Sequence, residues 1–196
     1  MIFRLFRPDP RKTTLHALYG VIVAQARRPE FYTGYDVPDT VDGRFDMIVL
    51  HLALFLRRLR REPADFQPMG QGLFDVFCRD MDHNLREMGI GDLAVPKEMK
   101  RLGEAFYGRL EAYDRAFSSG SPDAVAAALA RNVATSPAGA RQLAAYALAA
   151  ARLLDEQDAA AFARGEVAFP RPQHRSGRGD ETSGASERQD DEPVSP

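Results

Sequence analysis

Chemistry that needs a metal ion or an acid–base pair could arise in this chain at only a few places. The stretch CRDMDHNLRE carries Cys78, Asp80, Asp82, His83 and Glu87, donor types that bind divalent metals. His83 and Glu87 stand one helical turn apart and could share an ion. Asp80 falls on another helix face, the second histidine of a strong helical zinc motif is missing, and Arg79 and Arg86 offer ordinary ion-pair partners. A salt-bridged, solvated helix face is the favoured reading, and no metal is expected. His51 lies in the apolar run Leu50–Leu56, with Asp46 upstream. It is either a general base with a carboxylate partner or a core histidine bonded to a backbone carbonyl, and the second reading is preferred. Cys78 has no His/Asn or Cys partner and fits a buried small residue better than a nucleophile. There is no Walker loop, no GxGxxG after a strand and no GxSxG. The chain is therefore expected to be non-enzymatic and without a cofactor.

The composition narrows the class. A chain of 196 residues with 44% hydrophobic content can bury one ordinary core, so one domain with a tail is expected. The formal net charge of −2 gives no overall basic excess, and no nucleic-acid partner is expected. The single Cys78 rules out an internal disulfide framework and suits the cytoplasm. Met47 to Leu56 is the longest nearly apolar run, and its ten residues fall far short of the roughly 20 a spanning helix needs. The opening MIFRLFRPDPRK is too short to be a secretory signal, but its aromatic and aliphatic residues interleaved with arginines could lie at a bilayer interface.

Helical spacing dominates the rest. Leu15, Leu18, Ile22 and Ala26 predict a helix over about 14–28 that stops before Pro29. Residues 29–38 read as a loop with large side chains, with Gly34 free to take a positive φ and Pro38 keeping Val37 extended. Asp39 or Thr40 can cap the next helix, and Phe45, Ile48, Leu52, Phe55 and Leu59 form its main stripe. Further apolar residues off that stripe make this helix central to the domain. Arg57, Arg58, Arg60 and Arg61 close it before Pro63. After the connector EPADFQPMGQG, Phe74, Phe77, Met81, Leu85 and Met88 predict a helix ending at Gly89 in a Schellman turn. Pro96 opens another, with Met99, Leu102, Phe106, Leu110, Tyr113 and Phe117 on its stripe. Ser121-Pro122 and Ser136-Pro137 start two alanine-rich packing helices, the second running to about Arg164 before Gly165. No useful length alternates as a strand does. The fold class is all-α: a compact multi-helix domain over 13–165, a basic/apolar segment over 1–12, and a polar tail over 166–196 expected to be disordered.

The loop after the first helix carries more aromatic and charged character than packing requires, and tyrosine, phenylalanine and arginine are the residue types that protein interfaces concentrate. A protein-binding surface is thus the leading functional reading. Two alternatives are a membrane-surface or RNA adaptor working through Arg57–Arg61 and through Lys97, Lys100 and Arg101, and an enzyme using His51 or the Asp80/Asp82/His83 cluster. Cations at the C-terminus of a helix are expected in any case, which weakens the adaptor reading.

The stretches LYGVIVAQARRPEFYTGYDVPDTVDGRFDMIVLHLALFLRRL and LFDVFCRDMDHNLREMGIGDLAVPKEMKRLGEAFYGRLEAYDRA resemble the ubiquinol-cytochrome c chaperone family in its alphaproteobacterial form. The likeness runs from about Leu15 to Phe117, and His83 stands where a second acidic residue is usual. It implies an all-helical assembly factor for the cytochrome bc1 complex that binds cytochrome b, apo or newly haemylated, together with a small helical co-chaperone. It also implies action at the cytoplasmic face of the inner membrane through peripheral contact. The family has no catalytic residues to transfer. Phe31, Tyr32, Gly34, Tyr35, Pro38, Asp39, Asp42, Arg44, Asp46, Asp82, Asn84, Arg86 and Lys97 are the candidates for touching the client or shaping the surface that does.

Overall fold

The computed structural model describes residues 9–133 and 135–173. Among them it contains eight α-helices and no strand: α1 (Pro10–Ala26), α2 (Pro29–Gly34), α3 (Val41–Leu59), α4 (Gln67–Glu87), α5 (Val95–Ser118), α6 (Pro122–Asn132), α7 (Pro137–Glu156) and α8 (Ala159–Ala163). Most helix starts carry a local cause. Asp9, Thr40, Ser121, Ser136 and Asp158 each accept a backbone N–H of the first turn with a side-chain oxygen, occupying one of the donors a helix start leaves without a partner. Gly89 takes a φ of 81°, and Ile90 N–H donates to Leu85 O at 3.1 Å, which completes the Schellman closure of α4.

Helix α3 is the axis around which the others pack. Fourteen of its nineteen residues are buried, and α1, α4, α5 and α7 all lie against it. Burial on every side requires an almost wholly apolar helix, so each polar side chain on it needs a fixed partner. His51 is wholly buried. Its Nδ1 lies 2.7 Å from Met47 O and its Nε2 lies 2.8 Å from the Tyr146 hydroxyl. A carbonyl can only accept, so Nδ1 carries the proton and Nε2 accepts from Tyr146. Gln25 Nε2 donates to the same Tyr146 oxygen at 3.0 Å and to Pro170 O at 2.9 Å. The line Gln25–Tyr146–His51–Met47 thus joins α1, α7 and α3. Phe31 and Phe169 set their rings edge-on to the imidazole at 5.4 and 5.3 Å.

At the other end of α3, Arg58 donates from Nε to Leu154 O at 2.8 Å and from Nη2 to Gln157 O at 3.0 Å, and Nη1 pairs with Glu62. The guanidinium also lies over the Phe162 ring. One buried cation therefore satisfies carbonyls at the C-terminus of α7, where the helix dipole favours positive charge.

Several sequence expectations change. The first helix starts at Pro10 and ends at Ala26, rather than spanning 14–28. The connector before α4 is largely helical, with a short 3-10 turn at Ala64–Phe66 leading into α4 at Gln67. The last helix is not continuous to Arg164: Gln157 leaves the helical region and Asp158 caps a separate α8. The domain does not stop at Gly165. Residues 166–173 fold back, the Gln157 amide bonding the backbone of Ala168 on both sides and Pro172 being buried. Of the segments expected at the two ends, residues 1–8 and 174–196 lie outside the described residues.

Two predictions test this frame. Arg58→Ala strands carbonyls and a carboxylate in a buried site and is expected to lower unfolding free energy by about 3 kcal/mol; Arg58→Lys, lacking the forked donors, should recover little of it in urea melts. Burial lowers the His51 pKa to about 4, below its unfolded value of roughly 6.5. The unfolded chain therefore binds the extra proton first as pH drops. The His51 contribution is intact above about pH 6.5 and is lost progressively down to pH 4, by ~3 kcal/mol. The gap in unfolding free energy between the wild type and His51→Gln should shrink by that amount over this window, and a gap independent of pH would show that the imidazole is not held neutral.

Candidate functional site

The densest group of singled-out residues runs from Phe31 to Asp46. Pro29 opens α2, with Glu30 in its first turn, and the helix and its C-cap turn Phe31 and Tyr35 toward the interior while Tyr32 stays half-buried. Phe31 is wholly buried and Tyr35 is 3% exposed. The Phe31 ring meets Tyr35 at 5.4 Å and Tyr146 at 4.8 Å, both edge-on. The Tyr32 hydroxyl donates to Ala26 O at 2.9 Å, tying α2 to the end of α1, and the Tyr35 hydroxyl accepts the Gln173 N–H at 2.9 Å. The expectation of a loop holding these aromatics outward is corrected: the segment is a short helix, and Phe31 and Tyr35 are core. Burial supplies the reason, because two large rings gain more from the cavity between α3 and α7 than from solvent.

The positive φ falls on Asp36, at 54°, and not on Gly34. Aspartate tolerates that conformation, and here it is held from outside. Asp36 Oδ2 accepts from the Ser136 hydroxyl at 2.5 Å, Ser136 Oγ caps α7 by accepting from Gly139 N at 3.0 Å, and Thr135 Oγ1 donates to Tyr35 O at 2.7 Å. A Cβ at position 139 would come within 2.3 Å of Tyr35 O, so glycine is needed there for the two backbones to meet. Residues 35–36 are thereby locked onto the start of α7.

Beyond this lock the chain turns outward. Pro38 is half-buried, and Asp39, Val41, Asp42 and Arg44 are exposed. Val41, at 64% exposure, is an uncommonly open apolar side chain. Asp39 Oδ1 accepts from Arg44 Nε at 2.7 Å, and the guanidinium beside it lowers the Asp39 pKa. Gly43 sits where a Cβ would collide with Pro38 O at 2.0 Å, so the α3 entrance folds tightly onto its own lead-in. Asp46 points the other way. It is buried and accepts from Arg109 Nη2 on α5 at 2.7 Å. Desolvation pushes its pKa up to about 6 against the pull of Arg109. Asp46 partners Arg109 and His51 partners Tyr146, so the two do not form an acid–base dyad, and His51 has no exposure through which to meet a substrate.

The second group lies where α4 turns into α5. Arg86 Nε donates to Asp82 Oδ2 at 2.8 Å, and its Nη1 pairs with Asp92, bracing the loop. Asn84 is half-buried and Lys97 exposed. On this braced loop Leu93 is 100% exposed and Met88 is 51% exposed. No ion pair or side-chain hydrogen bond joins this group to residues 31–46 among the described residues. The metal candidate is split: the Tyr19 hydroxyl donates to Asp80 at 2.7 Å, Asp82 serves Arg86, and His83 pairs with Glu87 at 3.0 Å. Three helix-face partners leave no shared centre. Burial raises the Cys78 thiol pKa, opposite to what a nucleophile needs. The arginines closing α3 are engaged as well: Arg60 pairs with Asp114 at 2.8 Å and Arg61 with Asp155 at 2.6 Å, leaving less free charge for an anionic polymer.

Sequence reasoning missed Gln25, Arg109, Thr135, Gly139 and Tyr146, and it read Ser136 as the start of α7 without its bond to Asp36. Tyr146 carried one signal, a lone tyrosine in an alanine-rich helix that had been assigned packing alone.

Comparison with known proteins places this arrangement. A family described as ubiquinol-cytochrome C chaperone matches residues 33–169, from α2 through the packed segment after α8. The crystal structure of the Cbp3 homolog from Brucella abortus is similar, with a TM-score of 0.76 and 39% identity over 83% of this chain and 91% of that one. Among curated proteins, the ubiquinol-cytochrome-c reductase complex assembly factor 1 of Xenopus laevis is 27% identical over 116 residues, 59% of this chain and 58% of that protein. The protein of the same name from Mus musculus is 26% identical over 102 residues, 52% of this chain and 35% of its own length. The chain thus matches little more than half of one curated relative and about a third of the other. A family match across most of the chain and a solved relative of the same fold at 39% identity agree: the chain belongs to the ubiquinol-cytochrome C chaperone family.

Proposed function

We propose that this protein is a non-enzymatic chaperone that holds newly made cytochrome b, apo or freshly haemylated, during assembly of the ubiquinol-cytochrome c reductase complex. The observation that carries the reading is the family match over residues 33–169, supported by curated relatives named as assembly factors of that complex. The client is a membrane protein, whereas no helix of the described residues is long and apolar enough to cross a membrane. The reading places the chaperone on the cytoplasmic side, in peripheral contact with the inner membrane, and a small helical co-chaperone is a candidate second partner.

The client-facing part is assigned by exposure. Asp39, Asp42 and Arg44 flank open Val41, and this entrance of α3 is the primary contact surface. Arg86, Asp82 and Lys97 around open Leu93 form a second one. Phe31, Gly34, Tyr35, Pro38 and Asp46 shape the first surface from beneath, with half-buried Tyr32 at its margin and Asn84 beneath the second. A buried anchor and an exposed contact fail in different ways when changed, which makes the division testable.

In a strain lacking the gene, the assembled reductase complex and cytochrome b should fall while other respiratory complexes persist; normal cytochrome b would contradict the role. Complementation separates the residues. Val41→Asp with Arg44→Glu should leave the melting temperature within about 2 °C, these sites being exposed, yet fail to restore the complex. Phe31→Ala should cost roughly 3–5 kcal/mol of stability and lose function through lowered abundance. Full complementation by the Val41/Arg44 variant would remove the α3 entrance from the contact surface.

A further inference from the structure

Beyond α8 the chain crosses the core without forming a helix. Gly165 takes a φ of 83°, and the N–H groups of Gly165 and Glu166 close α8 on Phe162 O and Ala161 O at 2.9 and 3.0 Å, which sets the direction of exit. The residues that follow alternate as an extended chain does. Val167 and Phe169 pack half-buried against the core while Ala168 between them is exposed, and Pro172 is buried between exposed Arg171 and Gln173. The Phe169 ring stands edge-on to His51 at 5.3 Å. His51 is in turn flanked by Phe31 and Tyr146, so the floor under this stretch is aromatic.

Each hydrogen bond to residues 167–173 among the described residues comes from a core side chain and reads only backbone. The Gln157 carboxamide donates to Ala168 O at 3.0 Å and accepts from Ala168 N at 2.8 Å. Gln25 Nε2 donates to Pro170 O at 2.9 Å, and the Tyr35 hydroxyl accepts the Gln173 N–H at 2.9 Å. Main-chain ties with room for alternate side chains are how extended peptides are recognised, since the ties accept any sequence and the side-chain positions choose among them. The frame also keeps its own bonds without this stretch. Gln157 Nε2 donates to Leu153 O at 3.0 Å, Gln25 Nε2 donates to the Tyr146 hydroxyl at 3.0 Å, and His51 retains Met47 and Tyr146. Lifting the stretch therefore leaves these core groups paired.

We propose that residues 167–173 are a displaceable strap that fills, in cis, a groove for an extended segment of a partner protein, one with an aromatic residue where Phe169 stands and a proline three positions on. The strap states the chemistry of that occupant, because it shows which side chains the groove takes and which backbone groups it bonds. Tethered to α8, it competes at an effective concentration on the order of millimolar, so a partner segment enters only when it binds better or when the strap is loosened. The inference goes beyond the contact surface assigned at the α3 entrance and stands whether or not that assignment holds.

The test uses the full chain and a fluorescein-labelled peptide with the sequence EVAFPRPQ, that of residues 166–173. Fluorescence polarisation should show the peptide binding the Phe169→Ala chain at least about tenfold tighter than the wild type, whose own strap competes. Adding Gln157→Ala should weaken that binding several-fold, and a peptide with alanine in place of its phenylalanine should not bind. Amide exchange on the wild type gives a second measurement that does not depend on how the variants fold. The Ala168 and Gln173 N–H groups should exchange through local opening, roughly a hundredfold or more faster than those of Val49–Phe55 in α3. Absence of peptide binding to a folded Phe169→Ala chain, equal binding of the alanine peptide, or strap amides that exchange only at the rate of α3 would overturn the proposal.

Discussion

The structure depends on the need to bury α3 on nearly every side while it carries three buried polar side chains, Asp46, His51 and Arg58. Each would be costly without a partner, since a buried polar or charged group left unpaired forfeits its hydration with nothing in return. Each is matched from a different direction: Asp46 by Arg109 of α5, His51 by Tyr146 of α7, and Arg58 by the carbonyls ending α7. Apolar packing alone would allow the surrounding helices to slide or rotate. Three directional bonds along one helix fix α5 and α7 in register with it, and the Gln25–Tyr146 bond adds α1.

That register decides what the surface presents. With α7 fixed, its N-terminus receives Tyr35 and Asp36 through Thr135, Ser136 and Gly139, and the chain that follows leaves the core at one place and one angle. Val41, Asp42 and Arg44 are displayed as a consequence of Phe31 and Tyr35 being buried. The rings that looked like contacts act as the anchor. The proposed contacts are the smaller residues after them, held on that base. On the proposed role this division is favourable, because an exposed aromatic cluster would invite self-association.

Much of the fold was legible because it is local. Ser-Pro starts, the Gly89 stop and the stripes of α3, α4 and α5 are written within one or two turns. His51 as a core histidine was legible too, from its apolar neighbours. Helix α2 was not: with six residues it spans less than two turns, too few for any period, and Pro29, Gly34 and Pro38 suggest a loop equally well. The break at Gln157 was hidden by alanines on both sides, although Asp158 offered a cap. Long-range partners left almost no trace. Tyr146 stands 95 residues from His51 and Leu154 stands 96 from Arg58, and no spacing within one helix announces such pairs. The family was nonetheless readable, because FYTGYDVPDTVDGRFDMIVLH combines lock, cap and core helix in one stretch and its residues are constrained together.

The central claim is that the α3 entrance meets cytochrome b while the aromatics beneath it do not. In-cell photo-crosslinking tests it directly, with the photoreactive residue placed in turn at Val41 and at Tyr35. The account predicts a crosslink from position 41 to cytochrome b, strongest while new cytochrome b is being made, and only intramolecular products from position 35. Cytochrome b captured from position 35 but not from position 41, or from neither, would contradict it.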